Sequence, residues 1–341
     1  MTALDLPDPR PTLADVARAA GVSSATASRV INGVPRVRAE TRRQVEEAIL
    51  SLGYVRQRAA RTDGLRSTGT VAVVVSQEPF RLFSDPFFGR MLGGASKVLT
   101  SAGHQIVLLM AQSAKDAQSV VRYLRGGHVD GALLVSMHAR FPIALHRATV
   151  PLASAGRPVG ADPSKYSYVD PDDRCGAERA VRYLLDSGRR TIATVAGPKD
   201  MSPALDRLDG YRAVLTEEGR FDPGLVAHGD FGQNAGEHLT LRLLDRRPDI
   251  DAIFAASDLT AVGVLRALRR SGRRVPQDVA LVGFGNSALA RSTEPPLTTV
   301  HQSVEAIGAQ TARELLALMT GASTQPRRLV LETDLVIRES A

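Results

Sequence analysis

Residues 12–32 read TLADVARAAGVSSATASRVIN, and the organisation of the chain turns on them. Thr12 is a good helix N-cap, because its side-chain oxygen accepts from an otherwise unpaired N–H of the first turn. Asp15 stands three residues on, where a carboxylate reaches back to the cap and favours the positive helix end. Leu13, Val16, Ala17 and Ala20 then recur on one helical face. Gly21 stops that helix, since it takes positive φ without a Cβ penalty. Ser23 caps a second helix, whose apolar side is Ala27, Val30 and Ile31. Ser24, Ala25, Ser28, Arg29 and Asn32 are left on or near its open side. Two short helices joined by a tight glycine turn form a helix-turn-helix, the unit whose second helix enters the major groove. An ordinary helical hairpin inside a bundle is the alternative that these residues alone leave open.

The flanking sequence narrows that choice. After a loop at residues 33–38 comes a third amphipathic helix, AETRRQVEEAILSLGY, with Val45, Ile49 and Leu52 at helical spacing and Ala48 beside them. Gly53 ends it. Three short helices in so few residues just close a small core. Charge points the same way. The chain of 341 residues carries net +7 from 39 Arg and 4 Lys against 36 acids, an arginine bias that by itself says nothing about nucleic acid. Its distribution does: residues 1–66 hold 11 Arg and 7 acids, and the remaining 275 hold 32 basic and 29 acidic residues. Positive charge is concentrated on the stretch that would meet phosphates.

From Gly69 the pattern changes to near-continuous apolar strands alternating with helices, beginning TVAVVVS, PFFGRMLGGASKVLTSAG, HQIVLLMA, AKDAQSVVRYLRGG, DGALLVS and VPLASAG. A second series starts at CGAERAVRYLLDSG and TIATVAG and runs to VALVGFG. Strands of this kind belong to parallel sheets covered on both faces. Two series predict two lobes, with the closing segments PPLTTVHQ, SVEAIGAQTARELLALMTG and RRLVLETDLVIR crossing back between them.

Taken together, TLADVARAAGVSSATASRVING, ETRRQVEEAILSLGY, an Arg-rich segment and TGTVAVVV resemble the LacI/GalR family of bacterial transcription regulators. The resemblance runs from Thr12 to about Arg338. It implies an α/β fold in which a small all-α helix-turn-helix domain precedes a two-lobed core like that of the periplasmic binding proteins. The expected divisions are a disordered leader at 1–11, the DNA-binding domain at 12–58, a hinge at 59–68 and an effector-binding and dimerisation core at 69–341. Its N-lobe takes about 69–170 plus 300–330, and its C-lobe about 171–299 plus 331–341.

The family places residues 24–31 in the major groove. Ser24 and Ala25 then occupy the first turn, where base edges are read, unless their small size merely lets the helix sit close. Arg29 is able to hold a guanine or a phosphate in bidentate geometry. Thr12, Ser23, Thr26, Ser28 and Asn32 fit backbone positioning or capping. In the segment VRQRAARTDGLRST, Ala59, Ala60 and Arg61 fit the family's hinge helix, which enters the minor groove. The family's wedge leucine is replaced by Asp63, followed by Gly64; an aspartate is no apolar wedge and is repelled by phosphates. Either the hinge helix is shorter here or Leu65 substitutes, unless Asp63 is simply an exposed linker residue.

By the same resemblance an effector sits between the lobes at the carboxyl ends of strands. Phe87 and Phe88 match an aromatic contact after the first strand. Arg207 matches a sugar-binding arginine whose fork suits vicinal hydroxyls, and Phe231 matches an aromatic that stacks on a sugar face. Asp258 matches a ligand aspartate and also suits an N-cap, while Arg157 contacts ligand or protein. The family often has two acids after VGF; here the run is Gly285–Asn286, so one carboxylate is missing and Asn286 is the candidate in its place. The function implied is a homodimeric repressor of carbohydrate-utilisation genes, released from a palindromic double-stranded DNA operator by a small sugar. The alternative is a corepressor-dependent regulator answering a purine or other small metabolite.

Several classes are excluded. The single Cys175 rules out an internal disulfide. The leader MTALDLPDPRP lacks the apolar stretch of a signal peptide, and no run approaches the roughly 20 apolar residues of a spanning helix. A cytoplasmic protein without membrane contact is expected. No nucleophile elbow, Walker loop, metal-spaced His/Cys set or dinucleotide fingerprint occurs, so neither an enzyme nor a cofactor is expected. The chain ends in LVIRESA without a heptad tail, which implies a dimer and no tail-linked tetramer.

Overall fold

A computed structural model describes residues 12–31, 37–52, 67–139, 145 and 148–341. The chain divides into two units, residues 1–66 and residues 67–341.

In the first unit, α1 (Leu13–Ala19), α2 (Ser24–Ile31) and α3 (Ala39–Leu52) enclose one apolar core. The start of α1 is a reciprocal cap: Thr12 Oγ1 accepts from the Asp15 N–H at 3.3 Å, and Asp15 Oδ2 accepts from the Thr12 N–H at 2.9 Å. Its end is a Schellman turn. Gly21 has φ +65°; its N–H donates to Arg18 O at 3.2 Å and the Val22 N–H to Ala17 O at 2.9 Å. Four residues, 20–23, thus separate the two helices, and α2 packs against α1. Val16, Ala17, Ala27, Val30, Val45 and Ala48 are buried where the three helices meet. Each buried valine contributes about 1.5–3 kcal/mol relative to exposure, and a unit this small has few others. Leu52, expected inside, is 38% exposed: α1 and α2 are only 7 and 8 residues long and do not cover the last turn of α3. Asn32 and the hinge residues Ala59, Ala60, Arg61, Asp63, Gly64 and Leu65 lie outside the described residues, as do Gly53 and the leader.

The second unit holds two six-stranded sheets. The first is built from β1 (Thr70–Val75), β2 (Gln105–Met110), β3 (Gly131–Val135), β4 (Leu152–Ala155) and β5 (Ser167–Pro171), with α4 (Pro79–Ser84), α5 (Pro86–Ser101) and α6 (Ala114–Arg125) among them. The chain then passes through α7 (Asp173–Asp186) into β6 (Ile192–Ala196), α8 (Ser202–Glu217), β7 (Val226–His228), α9 (Gln233–Arg246), β8 (Ala252–Ala255), α10 (Asp258–Arg270), β9 (Ala280–Gly285), α11 (Ala288–Ser292) and β10 (Thr298–His301). It returns to the first sheet with α12 (Val304–Met319) and β11 (Arg328–Leu331), and ends in the second with β12 (Asp334–Val336). The orders are β11-β5-β4-β3-β1-β2 and β12-β10-β9-β8-β6-β7. Both sheets have apolar layers on two faces, as the near-continuous apolar strands required.

Four details depart from the expected pattern. β12 runs antiparallel to β10, so the second sheet is mixed. β5, only five residues ending in Asp and Pro, has too short an apolar run to be recognised in sequence; its register between β4 and β11 defines it. The short helix α4 was also unexpected. β10 belongs to the second sheet through residue 301, so the return crossing comes slightly later than residue 300. Where the chain crosses, the strands are tied together: the Asp172 N–H donates to Leu331 O at 2.8 Å and Thr333 Oγ1 to Asp172 O at 3.0 Å.

Candidate functional site

Helix α2 has two faces. Ala27 and Val30 are buried against α1 and α3, while Ser23, Ser24, Ala25 and Arg29 are exposed and Thr26 and Ser28 are half-buried. Ser23 Oγ accepts from the Thr26 N–H at 3.2 Å and lies 2.9 Å from Thr26 Oγ1, so this pair holds the helix start. Thr12 Oγ1 likewise donates to Asp15 Oδ2 at 2.6 Å. The first turn of α2 therefore offers a capped, rigid end with two small exposed side chains and an arginine one turn on. That surface lets a helix approach base edges closely while its backbone N–H groups and a guanidinium face phosphate.

In residues 67–341 the first five strands of each sheet are ordered 2-1-3-4-5, with a switch point between their first and third strands, where α/β sheets bind ligands beyond the carboxyl ends. A cleft of about 1100 Å³, open to solvent, lies there. Every strand that reaches it does so with its carboxyl end: Gln77 after β1, Ser136 after β3, Gly156 and Arg157 after β4, Asp170 at the end of β5, Ser257 after β8, Gly285 closing β9 and Gln302 after β10.

The aromatic candidates meet in this cleft. Phe87 and Phe88 line it and pack edge to face at 5.3 Å; Phe88 is also buried in the apolar core beneath. Phe231 lines the opposite side at φ +68°. Its carbonyl accepts from Ser257 Oγ at 2.8 Å, which fixes the turn that presents the ring. Arg81, on α4, lies over that ring at 5.9 Å and donates to the Asp230 carbonyl, joining the two sides of the cleft.

Arg207 lies in the cleft wall on α8, but its fork is largely occupied. Nε donates to Asp173 Oδ1 at 2.8 Å, Nη1 to Ala256 O at 2.5 Å, and Nη2 reaches Gln302 Oε1 at 3.5 Å. The guanidinium also stacks 3.7 Å from the Phe284 ring centre. Vicinal hydroxyls would find only the second hydrogens of Nη1 and Nη2. Arg157 is similarly engaged, with Nη2 at 2.5 and 2.7 Å from the two Asp206 oxygens.

Asp258 lines the cleft, yet both its oxygens serve the protein: Thr299 Oγ1 donates to one at 2.6 Å and the Ser287 N–H to the other at 2.6 Å. The N-cap of α10 is Ser257, whose Oγ accepts from the Thr260 N–H at 3.0 Å. Burial pushes the Asp258 carboxyl above its usual range, and those two donors pull it back. Its presence also explains the glycine at 285. A Cβ there would stand 3.4 Å from Asp258 Oδ2, and φ is +127°, so an acid at 285 would be both strained and repelled. Asn286 does not line the cleft. Its Oδ1 accepts from Arg338 at 2.7 Å and its amide nitrogen lies 3.2 Å from His301 Nδ1; it braces β10 and the chain end.

Sequence reasoning missed Gln77, Arg81, Asp170, Ser202 and Gln302. Asp170 is the most informative. It is 5% exposed; Oδ2 accepts from the Arg157 N–H at 3.2 Å, and Oδ1 has no partner. Burial, then the neighbouring Asp173 and Asp206, push its carboxyl up to about 7 against the pull of Arg157. The signal available in sequence was the acid run after YV in SYVDPDD, at a strand end. Among the described residues no cluster of His, Cys, Asp and Glu could hold a metal ion, and no helix is long and apolar enough to cross a membrane.

Comparison with known proteins covers both units. Residues 12–57 match the model of bacterial regulatory proteins of the lacI family, and residues 181–341 match a periplasmic binding protein-like domain. The HTH-type transcriptional regulator CelR of Thermobifida fusca is 47% identical over 334 residues, 97% of this chain and 98% of that protein. A solved transcriptional regulator CelR–cellobiose complex superposes with a TM-score of 0.78 at 46% identity, covering 97% of this chain and 100% of that one. The lac repressor dimer bound to operator and the anti-inducer ONPF gives 0.71 at 27% identity, over 97% and 98%.

Proposed function

Since the chain belongs to the LacI family of bacterial transcription regulators, and so is a DNA-binding regulator and not an enzyme, we propose that it is a homodimeric cytoplasmic repressor of carbohydrate-utilisation genes. A small sugar in the cleft of residues 67–341 releases it from a palindromic operator. Two-fold symmetry of the dimer presents two copies of α2 to two half-sites. Ser24, Ala25 and Arg29 contact the DNA, with Thr12, Ser23, Thr26, Ser28 and Asn32 positioning the backbone and Ala59, Ala60 and Arg61 at the hinge.

The observation that carries the sugar assignment is the cleft itself, lined by aromatic rings (Phe87, Phe231) together with polar groups (Gln77, Ser136, Asp170, Ser202, Gln302). Such a mixture suits a polyol with apolar ring faces and hydroxyl edges. Cellobiose is the first ligand to test, since the 46% identical CelR structure is described as its complex. Binding that favours one arrangement of the two sides shifts the equilibrium toward it, which is all that release requires.

The test is fluorescence anisotropy on palindromes upstream of the chain's own and neighbouring genes, at several salt concentrations, with and without cellobiose. Salt-sensitive binding that cellobiose weakens is expected. Absence of specific binding to any such palindrome refutes the repressor assignment; binding tightened by a small metabolite returns the corepressor alternative.

A further inference from the structure

Among the described residues, three other than glycine have positive φ: Ser136 at +54°, Phe231 at +68° and Asn286 at +46°. Phe231 is the bulkiest, and a bulky side chain keeps this backbone region only where its surroundings over-determine it. The turn that carries it is tied at four points. The Gly229 N–H donates to Ala196 O at 2.8 Å, extending the pairing of β7 with β6, in which His228 is in register with Ala196. The Gly232 N–H donates to Asp230 Oδ1 at 2.8 Å. Ser257 Oγ donates to Phe231 O at 2.8 Å, and Arg81 reaches from α4 to Asp230 O.

The ring that this turn presents ends on Gly197, the residue after β6. A Cβ on Gly197 would stand 2.3 Å from Cζ, 2.4 Å from Cε1 and 2.8 Å from Cε2 of Phe231. The ring tip thus occupies the volume that any side chain at 197 would take. To admit a methyl group there, the tip would have to move from 2.3 Å out to 3.4 Å, where ordinary contact begins. The tied backbone of the turn does not yield. Around the ring, the guanidinium carbons of Arg207 and Arg81 lie 5.6 and 5.9 Å from its centre, and Arg207 is itself held by Asp173 and the Ala256 carbonyl. The remaining direction is the cleft, which Phe231 lines. Gly197 is buried and does not line it.

Resting on the sugar-effector reading above, we propose that Gly197 is a positioning residue for the effector: its missing side chain lets the Phe231 ring stand back against the end of β6, and this seat sets the width of the cleft at its aromatic wall. Gly197 touches no ligand and acts through Phe231. Packed surfaces respond to volume changes as small as one methylene, so the position of the ring decides whether a sugar ring fits beside it.

Calorimetric titration of the full chain with cellobiose tests this on two backgrounds. Gly197→Ala should weaken cellobiose by about tenfold. Phe231→Leu removes the Cε and Cζ atoms, and on that background adding Gly197→Ala should change the affinity by less than about twofold. A glycine needed only for the stability of β6 would not depend on residue 231 in this way. Phe231→Tyr extends the ring tip toward Gly197 and should weaken cellobiose as Gly197→Ala does, which keeps the seat testable where Gly197→Ala fails to fold. With cellobiose bound by the parent, equal affinity of Gly197→Ala overturns the seat alone, as does a loss of the same size on the Phe231→Leu background or a Phe231→Tyr that binds like the parent. Failure of cellobiose to bind the parent overturns the effector reading and this inference with it.

Discussion

Replacing Arg207 by Met separates two roles that the guanidinium has in the cleft wall. The methionine stem keeps much of the packing against Phe284 and Phe231, but Asp173 loses the donor 2.8 Å from its Oδ1. The Asp173 side chain is fully buried and that of Arg207 is 7% exposed, so the remaining carboxylate cannot turn to water. Removing one partner of a buried pair costs about 3–5 kcal/mol, on the order of 10 °C in Tm for a unit of this size. The pH dependence gives the mechanism a sharper signature. Burial already holds the Asp173 carboxyl above its usual range, with Arg207 pulling it down; without Arg207 it rises further. A raised acid contributes stability at low pH that is lost as pH increases. The deficit of Arg207→Met should therefore be largest near about pH 7.5 and shrink toward about pH 5, where Asp173 is neutral in parent and variant alike. Adding Asp173→Asn should restore most of the loss at about pH 7.5. Thermal unfolding of parent, both single variants and the double variant at the two pH values reads this cycle directly. A double variant as unstable as Arg207→Met, or a deficit independent of pH, would refute the reasoning and return Arg207 to the simpler role of a ligand fork.

Other outcomes follow from the same contacts. Arg29→Ala should weaken operator binding by about 1–3 kcal/mol, roughly 5–150-fold, with cellobiose affinity unchanged; anisotropy and calorimetry on one preparation check both, and a loss of sugar binding would mean that the variant is misfolded. Thr12→Ala removes the hydroxyl half of the α1 cap, leaving Asp15 Oδ2 on the backbone N–H of residue 12, at a cost of about 1 kcal/mol, which hydrogen exchange of α1 should register as faster opening while the core of residues 67–341 is unaffected. Asp63→Leu removes a charge repelled by phosphates and restores an apolar wedge, so operator affinity should rise; equal affinity of the two proteins would place Asp63 outside the interface.

The sequence by itself determined what is decided within a few residues. The Thr12–Asp15 cap, the Gly21 turn and the inward faces of α1 and α2 depend on partners three to five positions away, and each was legible for that reason. The βα alternation was legible too, because a strand buried on both faces must be apolar throughout. Sequence periodicity overreached at Leu52, where the helix continues but the neighbours that would cover it have ended. Tertiary structure alone decided which groups in the cleft are available. Arg207 meets acceptors 34, 49 and 95 residues away, and Asp258 meets Thr299 across 41. A residue type announces what it could bind, but burial leaves few partners for each donor and acceptor, and those come from other strands. Hence Asp258, Arg207 and Asn286, prominent in the sequence, are largely or wholly engaged by the protein. Asp170, on a strand too short to be noticed, lines the cleft with one buried carboxyl oxygen that has no hydrogen-bond partner.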